Sequence, residues 1–406
     1  MRKPVVTIFY QFDPWYSTIG GIQTLIKTFI QYAPQEFKLR LVGINGGSHL
    51  AIGKWHEAEL YGKALLFMPL FSRPNDNIRH VVPTTLKYTL GLVGRNLSSD
   101  FMHFHRIEPT LVTRHWSGEK MLFVHNDMRQ QIQASGSAKA MLWNQVPQIY
   151  FALERSLIEQ FSQIFVCHSE SVQLYRNRYP RIAPRISYIK NTVDSDRFYP
   201  LYAQQEQHRL LLSRQLNLPD HTRFILFAGR LHPQKDPLLL VQSFAALNEP
   251  GVHLLIAGDG ELQQVLQQQV RTLGLTPHVS FLGAVQQPQL VKLYQVASVF
   301  VLTSLYEGLP LAVLEALASG IPVVTTNCGE TPNFLTSDSG VVCLERQPQA
   351  IAAALRQVLQ FPERYPVSAC LQAMRPYEAK MLMHELYDEM LDRWQSRLAA
   401  ISKSIF

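Results

Sequence analysis

The stretch Ser298–Thr326, SVFVLTSLYEGLPLAVLEALASGIPVVTT, decides how this chain is read. Its opening residues, SVFVLTS, form a short apolar run rich in β-branched side chains, and its closing residues, IPVVTT, form another of strand length. Between them Leu309 to Ala318 has helical composition, with Pro310 in the first turn, where a missing N–H costs nothing, and Gly320 just past the end. The stretch therefore predicts a βαβ unit. Its helix is apolar nearly all round, which predicts burial. Yet it carries Glu315, and the turn feeding it carries Glu307. An unpaired buried carboxylate costs several kcal/mol or takes up a proton. Glu315 thus needs a polar partner, nothing nearby in sequence supplies one, and a ligand is expected to do so.

Working outward, 406 residues are too many for one ordinary core and fit two domains. No apolar run reaches the roughly 18 residues that a membrane span needs. The best candidate, Val291 to Leu311, is broken by Lys292. The segment MRKPVVTIFYQF lacks a long apolar leader region and reads as a first strand. Cys167, Cys328, Cys343 and Cys370 show no paired spacing, which points to a reducing compartment and a cytoplasmic location. Charge is uneven: residues 1–190 hold 22 Lys/Arg and 12 Asp/Glu, a net +10, against −3 for the remainder and +7 overall. A basic half suits an anionic partner such as a phosphorylated substrate or a membrane surface, although a scattered solvated surface would look the same. No nucleic-acid-binding motif accompanies the charge, and no nucleic acid is expected as a partner.

The rest of the chain alternates apolar runs with helical patterns. Strands are expected at PVVTIFYQF, KLRLVGIN, KALLFMPL, FMHFH, KMLFVHND and QIFVCHSES in the first half, which RISYIKNTVDSDRFYP closes, and at RFILFAG, VHLLIAG and VSFLGAV in the second, which TNCGETPNFL, SGVVCL and the helix PQAIAAALRQVLQ complete. Gly20-Gly21 opens an amphipathic helix after the first strand, a phosphate-binding geometry that is also a common tight turn. His103 and His105 alternate on one strand and share a face, but a third ligand at metal spacing is missing. His125 ends a strand, where α/β sheets bind ligands, and is a candidate for substrate contact or proton transfer. Arg230 and Lys235, five residues apart after RFILFAG, are placed to grip a diphosphate or to form a solvated basic loop. The turn Gly258-Asp259-Gly260 is a lone Gly-x-Gly. A glutamine-rich change of character places the domain boundary near Pro200. The tail from Pro376 to about Leu398 carries a helical stripe of Met381, Leu382, Leu386, Met390, Leu391 and Trp394 that should pack back on the body.

Several of these segments together resemble the retaining glycosyltransferases of family 4, built on the GT-B fold. Glu307 and Glu315 reproduce that family's E-x7-E motif within YEGLPLAVLEALASGIPVV, and FAGRLHPQKDP resembles its G-R-L-x3-K-G segment, with Asp236 in place of the glycine. LLIAGDGEL, VSFLGAV, GGIQ, FVHND and YIKNTVDSDRFYP also match, the last with Thr192 for a glycine. CGETPNFL departs from the usual G-G-x-x-E, with Glu330 at the second glycine and Asn333 at the acidic position. The resemblance covers nearly the whole chain, most strongly residues 222–335.

The resemblance implies a GT-B architecture of α/β class: two Rossmann-like domains facing across a cleft, with the C-terminal helix packing back on the N-terminal domain. Residues 1–199, completed by about 384–406, would form the acceptor side, and 200–383 the nucleotide-sugar side. The implied activity is retaining, metal-independent transfer of a hexosyl unit from a nucleotide-diphosphate sugar to an acceptor hydroxyl, in polysaccharide, cell-envelope or glycolipid biosynthesis. No cofactor is implied beyond that co-substrate. The implied partners are the nucleotide sugar and a saccharide or lipid-linked acceptor, and the basic first half adds the expectation of peripheral contact with an anionic membrane surface on its cytoplasmic face. His125, Arg230, Lys235 and Glu307 would be catalytic. Gly20, Gly21, Gly229, Arg230, Lys235, Gly258, Val285, Glu307, Gly308, Leu309 and Glu315 would bind the donor, Glu307 at the sugar and Glu315 at the ribose hydroxyls. The alternatives are a non-catalytic sugar-nucleotide-binding protein and a nucleotide-sugar epimerase on a related fold.

Overall fold

Runs such as RFILFA and VHLLIA lack polar alternation because both faces of the strands they form are covered, as in a parallel sheet flanked by helices. A computed structural model describes residues 2–16, 21–73, 83–125, 147–167 and 169–404. The chain packs as two units, Met1–Lys190 with Lys380–Phe406, and Asn191–Ala379.

The first unit holds β1 (Val5–Phe9), β2 (Lys38–Asn45), β3 (His56–Leu60), β4 (Lys63–Ser72), β5 (Phe101–Phe104), β6 (Glu119–Val124), β7 (Gln163–Val166) and β8 (Ile186–Tyr188). They lie in the order β3-β4-β2-β1-β5-β6-β7-β8, and all neighbours are parallel except β3 against β4. The sequence reading missed β3, HEAEL. It is a polar edge strand whose only apolar signal is weak, and it exists because the Tyr61-Gly62 turn folds it onto β4. Helix α1 spans Gly21–Gln31 and α2 spans Thr84–Gly91.

The second unit holds β9 (Arg223–Ala228), β10 (Val252–Ala257), β11 (Val279–Gly283), β12 (Val299–Leu302), β13 (Val323–Thr326) and β14 (Gly340–Cys343). Their order is β11-β10-β9-β12-β13-β14, and every pairing is parallel. This is the doubly wound order, whose direction reverses between β9 and β12, and ligands in such sheets bind at the carboxyl ends of the strands flanking that reversal. The opening βαβ unit is therefore half of the switch point.

Its helix runs Leu311–Ala318 with Pro310 at the N-cap, one position before the first turn expected for it. Gly320 has φ 75°, and a Cβ there would lie 2.7 Å from Val367 Cγ1. The expectation of burial all round is corrected: Val313, Leu314, Ala316, Leu317 and Ala318 are buried, whereas Leu311, Ala312 and Glu315 keep partial exposure on one side.

The unit boundary falls at Lys190/Asn191, not near Pro200. The intervening residues belong to the second core: Val193 bridges to Glu378, Phe198 is buried in the second unit's apolar cluster, and Asn191 Nδ2 donates to the Leu309 carbonyl at 2.7 Å. Composition marks the polar helix Gln205–Gln215, not the point where packing changes sides.

The C-terminal helix, Ala379–Ser404, packs on the first unit as expected, and Leu386, Met390 and Trp394 of the expected stripe are buried. Met383, Leu386, Tyr387, Met390 and Trp394 are buried, while Met381 is exposed. Tyr387 stacks on Phe29 at 4.3 Å between ring centroids and donates to the Phe29 carbonyl at 2.9 Å. Among the described residues, no helix is long and apolar enough to cross a membrane.

Candidate functional site

The loops that leave β9 and β12 at the switch point are laced together before any side-chain chemistry is considered. Leu305 N donates to the Gln234 carbonyl at 2.8 Å, and Thr303 Oγ1 donates to the carbonyls of Lys235 and Asp236. The loop after β10 joins them, with Leu231 N donating to the Asp259 carbonyl at 2.9 Å. Gly258, at φ 147°, crosses so close that a Cβ would sit 1.9 Å from the Gly229 carbonyl oxygen. Gly258 thus serves the packing of these two loops. Gly229 donates its N–H to Ala257, and Val285 is half-buried against the second unit's core.

On this frame Lys235 and Glu307, 72 residues apart in sequence, form an ion pair through Lys235 Nζ and Glu307 Oε1. Their side chains are 20% and 8% exposed, so the pair is largely removed from water and its attraction is little screened. Ser304 Oγ donates to the same Glu307 oxygen at 2.6 Å. The N–H groups of Gly308 and Leu309, just ahead of the helix Leu311–Ala318, donate to nothing among the described residues. They and the positive end of the helix dipole form an anion-attracting corner. Arg230 is exposed, and its guanidinium makes no hydrogen bond or ion pair among the described residues.

Two departures from the family pattern have local explanations. Asp236 sits at φ 42°, ψ 59°, a left-handed conformation that glycine adopts freely. The carboxylate offsets that strain by capping the helix Pro237–Leu247 through the Leu239 N–H and by pairing with Arg346 at 2.7 Å. Glu330 stands at φ −86°, which asks nothing of glycine, and its N–H donates to the Gly308 carbonyl at 2.9 Å. Gly329 is the position that needs glycine: its φ is 63°, and a Cβ would meet the Gly308 carbonyl oxygen at 2.3 Å.

Glu315 corrects the opening argument. It has a partner within the chain, the Tyr294 hydroxyl, which donates to Glu315 Oε2 at 3.0 Å. Burial pushes its carboxyl up to about 7, against the opposing effects of that hydrogen bond and of Arg197. No local spacing reveals Tyr294, since the contact depends on packing the helix Gln287–Val296 beside the helix Leu311–Ala318. Ser304, by contrast, stands three residues before Glu307 in a single turn and was legible as Ser-x-x-Glu.

In the first unit, the sheet order also reverses between β1 and β5; His105 follows β5 there, and His125 follows β6, the next strand. His105 Nδ1 and His125 Nε2 are 2.9 Å apart, and His125 Nδ1 is 3.5 Å from Cys167 Sγ. Burial, then the charges of His125 and His103, holds His105 well below the usual imidazole range, so it stays neutral. His103 is pushed down to about 3, by burial first and Arg393 second. The Cys167 thiol is pushed up to about 12 by burial and stays protonated. His125 is thus held by two neutral neighbours. Gly21 begins α1 with open space where a Cβ would lie, whereas Gly20, Asn126 and Asp127 lie outside the described residues.

Residues 209–366 match the family model described as glycosyl transferases group 1. Every candidate residue of the second unit falls within that span. An uncharacterised glycosyltransferase of Methanocaldococcus jannaschii is 32% identical over 155 residues, covering 38% of this chain and 40% of that protein. A D-inositol 3-phosphate glycosyltransferase of Corynebacterium glutamicum is 26% identical over 219 residues, covering 52% of each. The aligned stretches span about half or less of these relatives. Sucrose-phosphate synthase from Thermosynechococcus elongatus superposes with a TM-score of 0.75 at 18% identity, covering 97% of this chain and 100% of that one. The catalytic domain of starch synthase IV from Arabidopsis thaliana, bound to ADP and acarbose, gives 0.74 at 14% identity, covering 96% and 99%. These likenesses show the fold: the two Rossmann-like units of GT-B proteins, as the sequence led one to expect.

Proposed function

We propose that the protein is a retaining, metal-independent glycosyltransferase of family 4 that moves a hexosyl unit from a nucleotide-diphosphate sugar to an acceptor hydroxyl. The reading rests chiefly on one arrangement: the Lys235–Glu307 pair at the β9/β12 switch point, beside two N–H groups that meet no acceptor among the described residues. In this reading Arg230 and Lys235 neutralise the diphosphate as it gains charge on leaving, the electrostatic term that dominates many such reactions. The Gly308 and Leu309 N–H groups add to that stabilisation, and Glu307, released from Lys235 by the incoming phosphate, contacts the sugar. Glu315 takes the ribose hydroxyls beside Tyr294, and His125 serves the sugar and acceptor side. The acceptor is a saccharide or lipid-linked sugar, and the pathway is polysaccharide, cell-envelope or glycolipid assembly.

Calorimetric titration with UDP-, GDP- and ADP-sugars tests the donor, and absence of binding to all of them would sink the reading. With an acceptor found by mass-spectrometric screening, proton NMR of the first-formed product reports the anomer. An inverted product removes the family 4 assignment, and loss of turnover on adding a chelator removes the metal independence.

A further inference from the structure

The Gly308 and Leu309 N–H groups at the switch point belong to a loop that is held from behind. The Gly308 carbonyl accepts the Glu330 N–H at 2.9 Å, and the Leu309 carbonyl accepts Asn191 Nδ2 at 2.7 Å. A trans peptide points its C=O and N–H in opposite directions, so the bond to Gly308 aims the Leu309 N–H away from Glu330. The next peptide, between Leu309 and Pro310, has no N–H to offer. Asn191 grips that peptide and so fixes the chain on the other side of Leu309. No backbone N–H among the described residues reaches the Leu309 carbonyl, because the first bonds of the helix Leu311–Ala318, from Val313 and Leu314, go to Pro310.

Asn191 is also the residue at which the chain enters the second unit, and Ala379 is the one at which it leaves. The two ends are tied to each other by a parallel bridge. Val193 N donates to the Tyr377 carbonyl at 3.0 Å, Ala379 N donates to the Val193 carbonyl at 2.9 Å, and Ser195 Oγ donates to Glu378 Oε1 at 3.0 Å. Val193 and Tyr377 are buried, so this strap belongs to the core of the unit. A carbonyl in a buried residue such as Leu309 needs a donor in any fold. A neighbouring backbone group would meet that need without further effect. A side chain from the entry point meets it and also connects the loop to the strap.

We propose that Asn191 is a positioning residue for the diphosphate of the nucleotide sugar: its amide holds Leu309 so that the Leu309 N–H keeps its aim, and it makes the strap of residues 191–193 and 377–379 respond to occupancy of the site. The inference rests on the glycosyltransferase reading above. It adds the residue that links the anion-attracting corner to the points where the chain enters and leaves the unit. Without the amide, Leu309 is free to turn about its Cα, and its N–H has to be ordered whenever a diphosphate arrives, which weakens binding.

Calorimetric titration with UDP, GDP and ADP, well below the thermal midpoint, selects the nucleotide that the wild type binds most tightly. Asn191→Ala should bind it roughly tenfold more weakly, and Asn191→Asp more weakly still, because a carboxylate repels both the carbonyl and the diphosphate. Val358→Ala, which opens a cavity in the same core on the helix Pro348–Gln360, should lower the midpoint without changing affinity. Hydrogen exchange on the wild type needs no variant: the amides of Val193 and Ala379 should exchange more slowly with the nucleotide bound, an effect that Asn191→Ala removes. If the wild type binds none of the three nucleotides, the glycosyltransferase reading falls and this inference with it. If the wild type binds and folded Asn191→Ala binds equally tightly, or loses no more affinity than Val358→Ala, Asn191 is only structural and this inference alone is overturned. Exchange at Val193 and Ala379 that ignores the nucleotide overturns the link to the strap.

Discussion

Lys235 carries two duties in this structure, and they can be separated by mutation. It is the partner that keeps the Glu307 carboxylate tolerable away from water, besides being the proposed grip on the diphosphate. Removing one member of a buried pair leaves the other uncompensated. Lys235→Ala is expected to cost about 3 kcal/mol of stability, and turnover on the order of a hundredfold or more. Adding Glu307→Gln should restore most of the stability and none of the turnover, which thermal melts beside rate measurements would show. Glu315 makes a pH prediction. Its carboxyl is raised from 4.5 to about 7 on folding, so the folded state holds its proton more tightly than the unfolded chain. The associated stability is fully present below about pH 4.5 and is lost as pH rises through about 7. Glu315→Gln should therefore stabilise the protein at pH 8 relative to wild type by roughly 2–3 kcal/mol, and by little at pH 4.5. Equal effects at both pH values would show that burial does not govern this carboxyl.

At the level of elements, the site depends on crossings that only glycine permits. Where the loop after β10 passes over the loop after β9, Gly258 leaves no room for a methyl group against the Gly229 carbonyl. Gly258→Ala is expected to destabilise the second unit by about 3 kcal/mol or more, and to displace Arg230 and Lys235 together. A donor-affinity loss in parallel with the lowered melting midpoint would bear this out; an unchanged midpoint would refute the crossing. Gly283, which accepts the Gly258 N–H at 2.8 Å, also has positive φ but open space at its Cβ. Gly283→Ala should therefore incur only conformational strain and serves as the control. The same close packing explains why the lone Gly-x-Gly was weak as a motif: its first glycine answers a neighbouring backbone.

For the whole molecule, the two units have separate cores, and the C-terminal helix completes the first by covering Phe29 and Phe37 with Tyr387. Arg393 and Arg397 on that helix reach Glu119 on β6. Truncation after Ala379 should therefore abolish the thermal transition of the first unit while leaving that of the second within a few degrees. Scanning calorimetry on the two chains would resolve this, and loss of both transitions would contradict it. Charge follows the same division: the +10 excess of residues 1–190 lies wholly in the first unit, because residues 380–406 hold equal numbers of acids and bases.

The α/β alternation, the parallel sheets and the two local pairs, Arg230 with Lys235 and Glu307 with Glu315, were readable along the chain. They depend on runs of apolar residues, on turns and on short spacings, which are local properties. Packing decided the rest. It bound Lys235 to Glu307 across 72 residues, gave Glu315 a protein partner in Tyr294, and turned Asp236 and Arg346 into a substitute for glycine. It also placed β3 at a sheet edge and moved the unit boundary back to Asn191. The physical reason is common to all of these. A polar group's partner and a segment's side of a boundary are set by which surfaces meet after collapse, and sequence separation carries no information about that meeting.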